Sequence, residues 1–151
     1  MKEPIYKWDE ETKTATCTIF DADGHSHTGI AVCHEDDFDF CSEKTGLEIA
    51  YRRALIEGYK AYRHNVKVAL KALKQLYYSM KHSSKFDPKS YENIMLHRQI
   101  RNHEIDLETA NNMLLAEKLN LKMYIAEKDG FYKQIRAIRK KKDEASRTDS
   151  N

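Results

Sequence analysis

The sequence predicts an α+β chain: a small N-terminal antiparallel β-sheet or hairpin, then two long antiparallel α-helices that pack in a homo-oligomer. Three observations predict it. Residues 14–20 alternate strictly between apolar and threonine positions ahead of an Asp-Gly turn. Apolar side chains recur every seven residues through the middle and the C-terminal half. Finally, 33% of the 151 residues are charged and only two are proline, a balance that favours long helices over a strand-rich fold. This length suits one domain, 1–151, divided into a hairpin region (1–41), a first helix (46–82), a second helix (87–142) and a frayed tail (143–151).

The hairpin is the first element. Ala15, Cys17 and Ile19 share one face of a strand, and Thr14, Thr16 and Thr18 share the other. Gly29 to His34 is apolar and β-branched enough to be the partner strand across Asp21-Ala22-Asp23-Gly24. That turn pairs Cys17 near Thr28 and Ile30 near Ala15. Ile5 to Trp8 adds a third, edge strand. So small a sheet must rest on the helices or on a second copy of the protein.

Glu35-Asp36-Asp37-Phe38-Asp39-Phe40 forms an acidic connection of about one helical turn, anchored by its two phenylalanines. Thr45-Gly46-Leu47-Glu48 has the Thr-x-x-Glu spacing of a capping box and starts the first helix. Two rows follow: Leu55, Tyr62, Ala69, Leu76 and Tyr59, Val66, Leu73, Met80. Together they make a coiled-coil-like stripe, with Gly58 and His64-Asn65 as weak points. Arg53, Lys60, Lys67, Lys74 and Lys81 recur at the same interval as a basic ribbon beside it.

His82-Ser83-Ser84-Lys85 ends that pattern. Asp87 then has the position of an N-cap, Pro88 that of the first helical residue, and Phe86 with Tyr91 that of a hydrophobic staple. The second helix carries Ile100, Leu107, Leu114 and Leu121, with Leu96, Ala110, Tyr124 and Phe131 in the companion row; Asp129-Gly130 is a candidate interruption. Helices of more than about 30 residues reach roughly 50 Å. A globule of this size has a radius of gyration of only about 15 Å. Exposed seams on such a hairpin predict a homo-oligomer.

Charge is divided unevenly along the chain. Acids dominate residues 1–50, whereas residues 51–86 hold Arg52, Arg53, Lys60, Arg63, Lys67, Lys71, Lys74, Lys81 and Lys85 against the single acid Glu57. The net charge of +2 conceals this. Bases interleaved with Tyr51, Tyr59, Tyr62, Tyr77, Tyr78 and Phe86 suit a ligand with phosphates and bases, although a solvated helix face is the plainer reading of the same pattern. No apolar run approaches the roughly 20 residues of a membrane span, and the N-terminus has no secretory signal pattern, so a cytosolic protein is expected. Three cysteines and the hairpin register, which separates Cys17 from Cys33, argue for reduced thiols.

Enzyme chemistry finds little material. His25 and His27 share a strand face near Cys33, His34 and Cys41, but without Cys-x-x-Cys or a helical histidine pair they read as surface histidines rather than a metal site. There is no Gly-x-Ser-x-Gly elbow and no glycine-rich phosphate loop, so no catalytic residue and no cofactor is expected. Ligand binding is better supplied. Arg98 and Arg101 lie one turn apart, and Lys74, Tyr78 and Lys81 end the first helix near the same connection as Phe86 and Tyr91. Arginine forks match phosphate oxygens, and aromatic faces stack on a purine. The alternative is that both arginines pair with Glu104 or Asp106 along their own helix and that Tyr77 and Tyr78 are core.

The segments 42–54 (Ser-Glu-Lys-Thr-Gly-Leu-Glu-Ile-Ala-Tyr-Arg-Arg-Ala) and 70–82 (Leu-Lys-Ala-Leu-Lys-Gln-Leu-Tyr-Tyr-Ser-Met-Lys-His), followed by Asp87-Pro88-Lys89-Ser90-Tyr91, resemble phage proteins of the Thoeris anti-defence sponge family, the first type described. The resemblance covers roughly residues 8–125. It implies a bacteriophage protein of the infected cell's cytosol that sequesters, without cleaving it, the cyclic ADP-ribose isomer made by TIR-domain defence proteins. It also implies dimers assembling into hexamers, with cyclic oligonucleotides held by some members at a separate site. Arg98, Arg101, Tyr78, Phe86, Tyr91, Lys74, Lys81 and Arg53 are the expected ligand-binding residues, chosen on local chemistry. A DNA- or RNA-binding protein using the Lys60-to-Lys81 ribbon is the alternative.

Overall fold

A computed structural model describes residues 2–148. It has three strands, β1 (Ile5–Asp9), β2 (Thr14–Phe20) and β3 (Ser26–Val32), then an acidic 3₁₀ segment (Glu35–Phe40) and two helices, α1 (Glu43–Lys81) and α2 (Tyr91–Thr148). The α+β architecture is as the sequence predicts, and the edge strand is present: the sheet is antiparallel in the order β1-β2-β3.

The turn chemistry sets the hairpin one residue away from the expected register. Gly24 takes the left-handed conformation at φ 86°, and the Asp21 amide donates to the His25 carbonyl at 3.0 Å. This one-residue bulge pairs Cys17 with Gly29 and Thr16 with Ile30. The register matters because it places Gly29 beneath α1. A Cβ at Gly29 would fall on the backbone of Ala50 and Ala54 and lie 2.8 Å from the Arg53 Cβ. Ala15, Cys17, Ala50 and Ala54 are fully buried around it, with Trp8, Ile19, Leu47, Ile49 and Tyr51 packed at the rim. Small residues on both sides bring the sheet and α1 into close contact.

Helix α1 begins earlier than expected. Ser42, not Thr45, is the N-cap, its hydroxyl accepting from the Thr45 amide at 3.3 Å. Its contact with α2 runs through Val66, Leu70, Leu73, Tyr77 and Met80. The stripe is therefore rotated by one residue on one row: Leu70 and Tyr77 take the inward places expected for Ala69 and Leu76, and Leu76 is exposed. On α2 the expected rows hold, with Leu96, Ile100, Ala110 and Leu114 buried. Phe131 is the exception; it faces out while Tyr132 turns inward.

The connection also differs from expectation. Asp87 closes a turn, its carboxylate accepting from the Lys89 amide at 2.9 Å and its carbonyl from Asn93 Nδ2 at 2.5 Å. Ser90 caps α2, accepting from the Asn93 amide at 3.3 Å. Because buried Asn93 holds Asp87 in the turn, Tyr91 is left 73% exposed and no staple with Phe86 forms. Helix α2 runs unbroken through Asp129-Gly130 and through the start of the expected frayed tail to Thr148; positions 149–151 lie outside the described residues. Among the described residues no helix is long and apolar enough to cross a membrane.

Candidate functional site

The end of the helical hairpin gathers most of the expected site residues at one level. Tyr77 meets His97 edge-to-face at 4.6 Å, and Lys74 bridges to Glu104 at 2.6 Å, which ties the last turns of α1 to the first turns of α2. Phe86 packs edge-to-face on Tyr77 at 6.1 Å and is a structural contact of the connection. Tyr77 is core and Tyr78 is not: Tyr78 is 66% exposed, its ring 4.6 Å from His82.

Arg98 and Arg101 project away from α1. Ile94, Arg98, Arg101 and Ile105 follow a four-three-four spacing on the outer side of α2, and all four are exposed. Among the described residues neither arginine makes an ion pair or a side-chain hydrogen bond. Glu104, one of their expected partners, is instead taken by Lys74. These are two exposed guanidinium groups flanked by isoleucines.

Within one chain the expected residues divide between two flanks. Tyr78 and Lys74 border a groove on α1 with Lys67, Lys71 and Gln75. Arg101 borders a separate one on α2 with His97, Glu104 and Glu108. Lys81 is exposed at the end of α1. Arg53 belongs elsewhere: it sits 21 positions before Lys74, about 30 Å along the helix. There its guanidinium donates to the Ile30 carbonyl and fixes β3 to α1.

A partly enclosed cavity of about 210 Å³ lies at the other end of the molecule. Trp8, Lys13, Arg53, Lys128 and Tyr132 line it together with Cys33 and Cys41. These two cysteines form a disulfide with their Cα atoms 6.4 Å apart, against the expectation of three reduced thiols. Cys17 is the free one, buried under the sheet, and that burial pushes its thiol pKa up. With Cys33 and Cys41 bonded to each other, neither can serve as a thiolate ligand beside His25 and His27. Those histidines both reach Asp21 Oδ2, at 3.2 Å each. Asp21 also accepts from the Asp23 and His25 amides, at 3.0 and 2.8 Å, so turn capping explains the cluster of Asp21, Asp23 and His25.

Two features were not anticipated from the sequence. Asn93 is 4% exposed, and its Oδ1 has no hydrogen-bond partner among the described residues. Arg52 is a junction: its guanidinium lies 2.8 Å from Glu48 and 3.2 Å from Glu117, and 5.6 Å from the Tyr124 ring. The Arg52–Glu48 spacing of four was visible in the sequence; Glu117 was not, being 65 positions away. No family model, curated protein or solved structure matches this chain.

Proposed function

We propose that this protein is a non-enzymatic sponge for a nucleotide signal. It sequesters, without cleaving it, a cyclic ADP-ribose isomer made by bacterial TIR-domain proteins, in the cytosol of a phage-infected cell. The observation that carries the reading is the set of exposed groups at the hairpin end. Arg98 and Arg101 have no anionic partner among the described residues, and Tyr78 and Tyr91 are 66% and 73% exposed. Guanidinium forks suit a pyrophosphate, and a tyrosine face suits an adenine.

Because the two flanks do not converge within one chain, the site is completed by a second copy. The outer stripe of α2 supplies a surface for it: Ile94, Ile105, Leu115, Leu119 and Met123 are each more than half exposed on that helix. A pocket assembled between rigid helices loses little conformational entropy on binding, which suits a protein that must outcompete an effector. Sequestration forms and breaks no bond, so it needs no nucleophile or base.

A second reading, a helical nucleic-acid-binding protein, is favoured by the α1 flank, where Lys67, Lys71 and Lys74 border one groove with Tyr78. Substitution separates the two. In the sponge reading Arg98→Ala with Arg101→Ala weakens ligand binding at least about 100-fold, since charge-assisted hydrogen bonds contribute roughly 1.5–3 kcal/mol each. Neutralising Lys67 and Lys71 then has little effect. The reverse pattern, with affinity for duplex DNA falling steeply with salt, establishes the second reading.

A further inference from the structure

The basic end of α2 is held by the acidic 3₁₀ segment. Asp37, 7% exposed, accepts from Arg136, with Nε 2.8 Å from its Oδ1, and Asp39 accepts from Arg139 at 2.9 Å. Phe40 packs on Tyr132 at 5.4 Å between ring centres, and the Arg139 guanidinium lies 5.0 Å from the Phe40 ring. Asp37 holds the Arg136 guanidinium still more firmly in its charged form. The contact between α1 and α2 reaches Arg52 with Glu117 and Tyr124, and the acidic segment, which precedes the start of α1 at Glu43, adds these contacts to α2 from Tyr132 to Arg139.

The segment that makes the clamp is itself enclosed by the Cys33–Cys41 bridge, with a sequence separation of 8. Both cysteines are partly exposed, and both line the 210 Å³ cavity, which opens to solvent. Lys13, Arg53 and Lys128 line the same cavity together with the acids Asp37 and Asp129, and a cation beside the leaving sulfur favours its departure as a thiolate.

We propose that Cys33–Cys41 is a reducible latch for the C-terminal part of α2. A dithiol entering the cavity attacks one sulfur to give a mixed disulfide, and its second thiol then displaces the protein sulfur. Two electrons and two protons pass to the protein, leaving Cys33 and Cys41 as thiols and the dithiol as a cyclic disulfide. The bridge no longer holds residues 33–41 in one short loop. The ordering of Asp37, Asp39 and Phe40 then has to be supplied by the chain alone, and the end of α2 is released.

The test uses the full-length wild-type chain in both redox states, so no variant has to fold. Thiols are counted in denaturant after mild oxidation and after dithiothreitol, and amide hydrogen exchange is followed over residues 131–142 in each state. The latch predicts one thiol oxidised and three reduced, with protection over 131–142 falling roughly tenfold or more on reduction while residues 14–20 and 96–114 are unchanged. Three thiols under both conditions, or equal protection over 131–142 in the two states, overturns it. An equal loss of protection throughout the chain also overturns it, because the bridge would then support the whole fold rather than latch one helix end.

Discussion

At the scale of single residues, two backbone positions carry much of the N-terminal fold. Gly24 supplies the left-handed conformation that closes the hairpin with a bulge, and Gly29 allows α1 to lie against β3. The sequence made the first legible, because Asp-Gly names a turn. It did not make the second legible: the identity of Gly29's neighbour depended on a register that the bulge shifts by one. Gly29→Ala would push a methyl into the backbone of Ala50 and Ala54, which cannot move aside as a flexible side chain would. We expect it to destabilise the protein by about 3 kcal/mol, read as a lower urea midpoint with an unchanged slope. A cost below about 0.5 kcal/mol would mean that the sheet and helix are not in this contact. Local chemistry names groups suited to a ligand but not the contacts that the fold gives them. Phe86 and Arg53 have the right chemistry, but they are used to build the connection and to fix β3.

At the scale of elements, heptad spacing revealed two helices and most of the residues between them. The phase of α1 was less secure because apolar residues occupy adjacent positions, Ala69 beside Leu70 and Leu76 beside Tyr77. Either of each pair satisfies the repeat; the packing against Leu96 and Ile100 selects the second. Continuity of α2 through Asp129-Gly130 was likewise not readable, since glycine weakens a helix without ending it. A Cβ added at Gly130 meets nothing within 4 Å. Gly130→Ala should therefore stabilise the protein by about 0.5–1 kcal/mol through the unfolded chain and the helix, measured as a raised thermal midpoint. A lowered midpoint would indicate that the helix breaks there. The clamp between the acidic segment and Arg136 and Arg139 joins stretches about a hundred positions apart. The acidic run was plain in the sequence, but its pairing with Arg136 and Arg139 was not, because opposite charge alone does not choose a partner.

For the whole molecule, surface area is the most telling quantity. A compact monomer of 17.7 kDa is expected to expose about 7,900 Å², whereas this chain exposes 11309 Å². The excess, roughly 3,400 Å², is larger than the total surface that a standard stable interface buries. It coincides with Leu115 at 67%, Leu119 at 54% and Met123 at 63% exposure along α2. In the proposed assembly this stripe meets a second copy and completes the ligand site. Leu115→Glu with Leu119→Glu should then shift the sedimentation coefficient to that of a monomer and abolish ligand binding together, with the helical circular dichroism retained. Loss of assembly with binding intact would place the whole site within one chain. The most direct test of the account is calorimetric titration of the wild-type protein with cyclic ADP-ribose isomers, followed by heating the complex and chromatographing what is released. The sponge reading predicts tight, saturable binding of an isomer and recovery of that isomer intact. Recovery of cleaved products would contradict it in favour of an enzyme, and absence of binding to every isomer would contradict it outright.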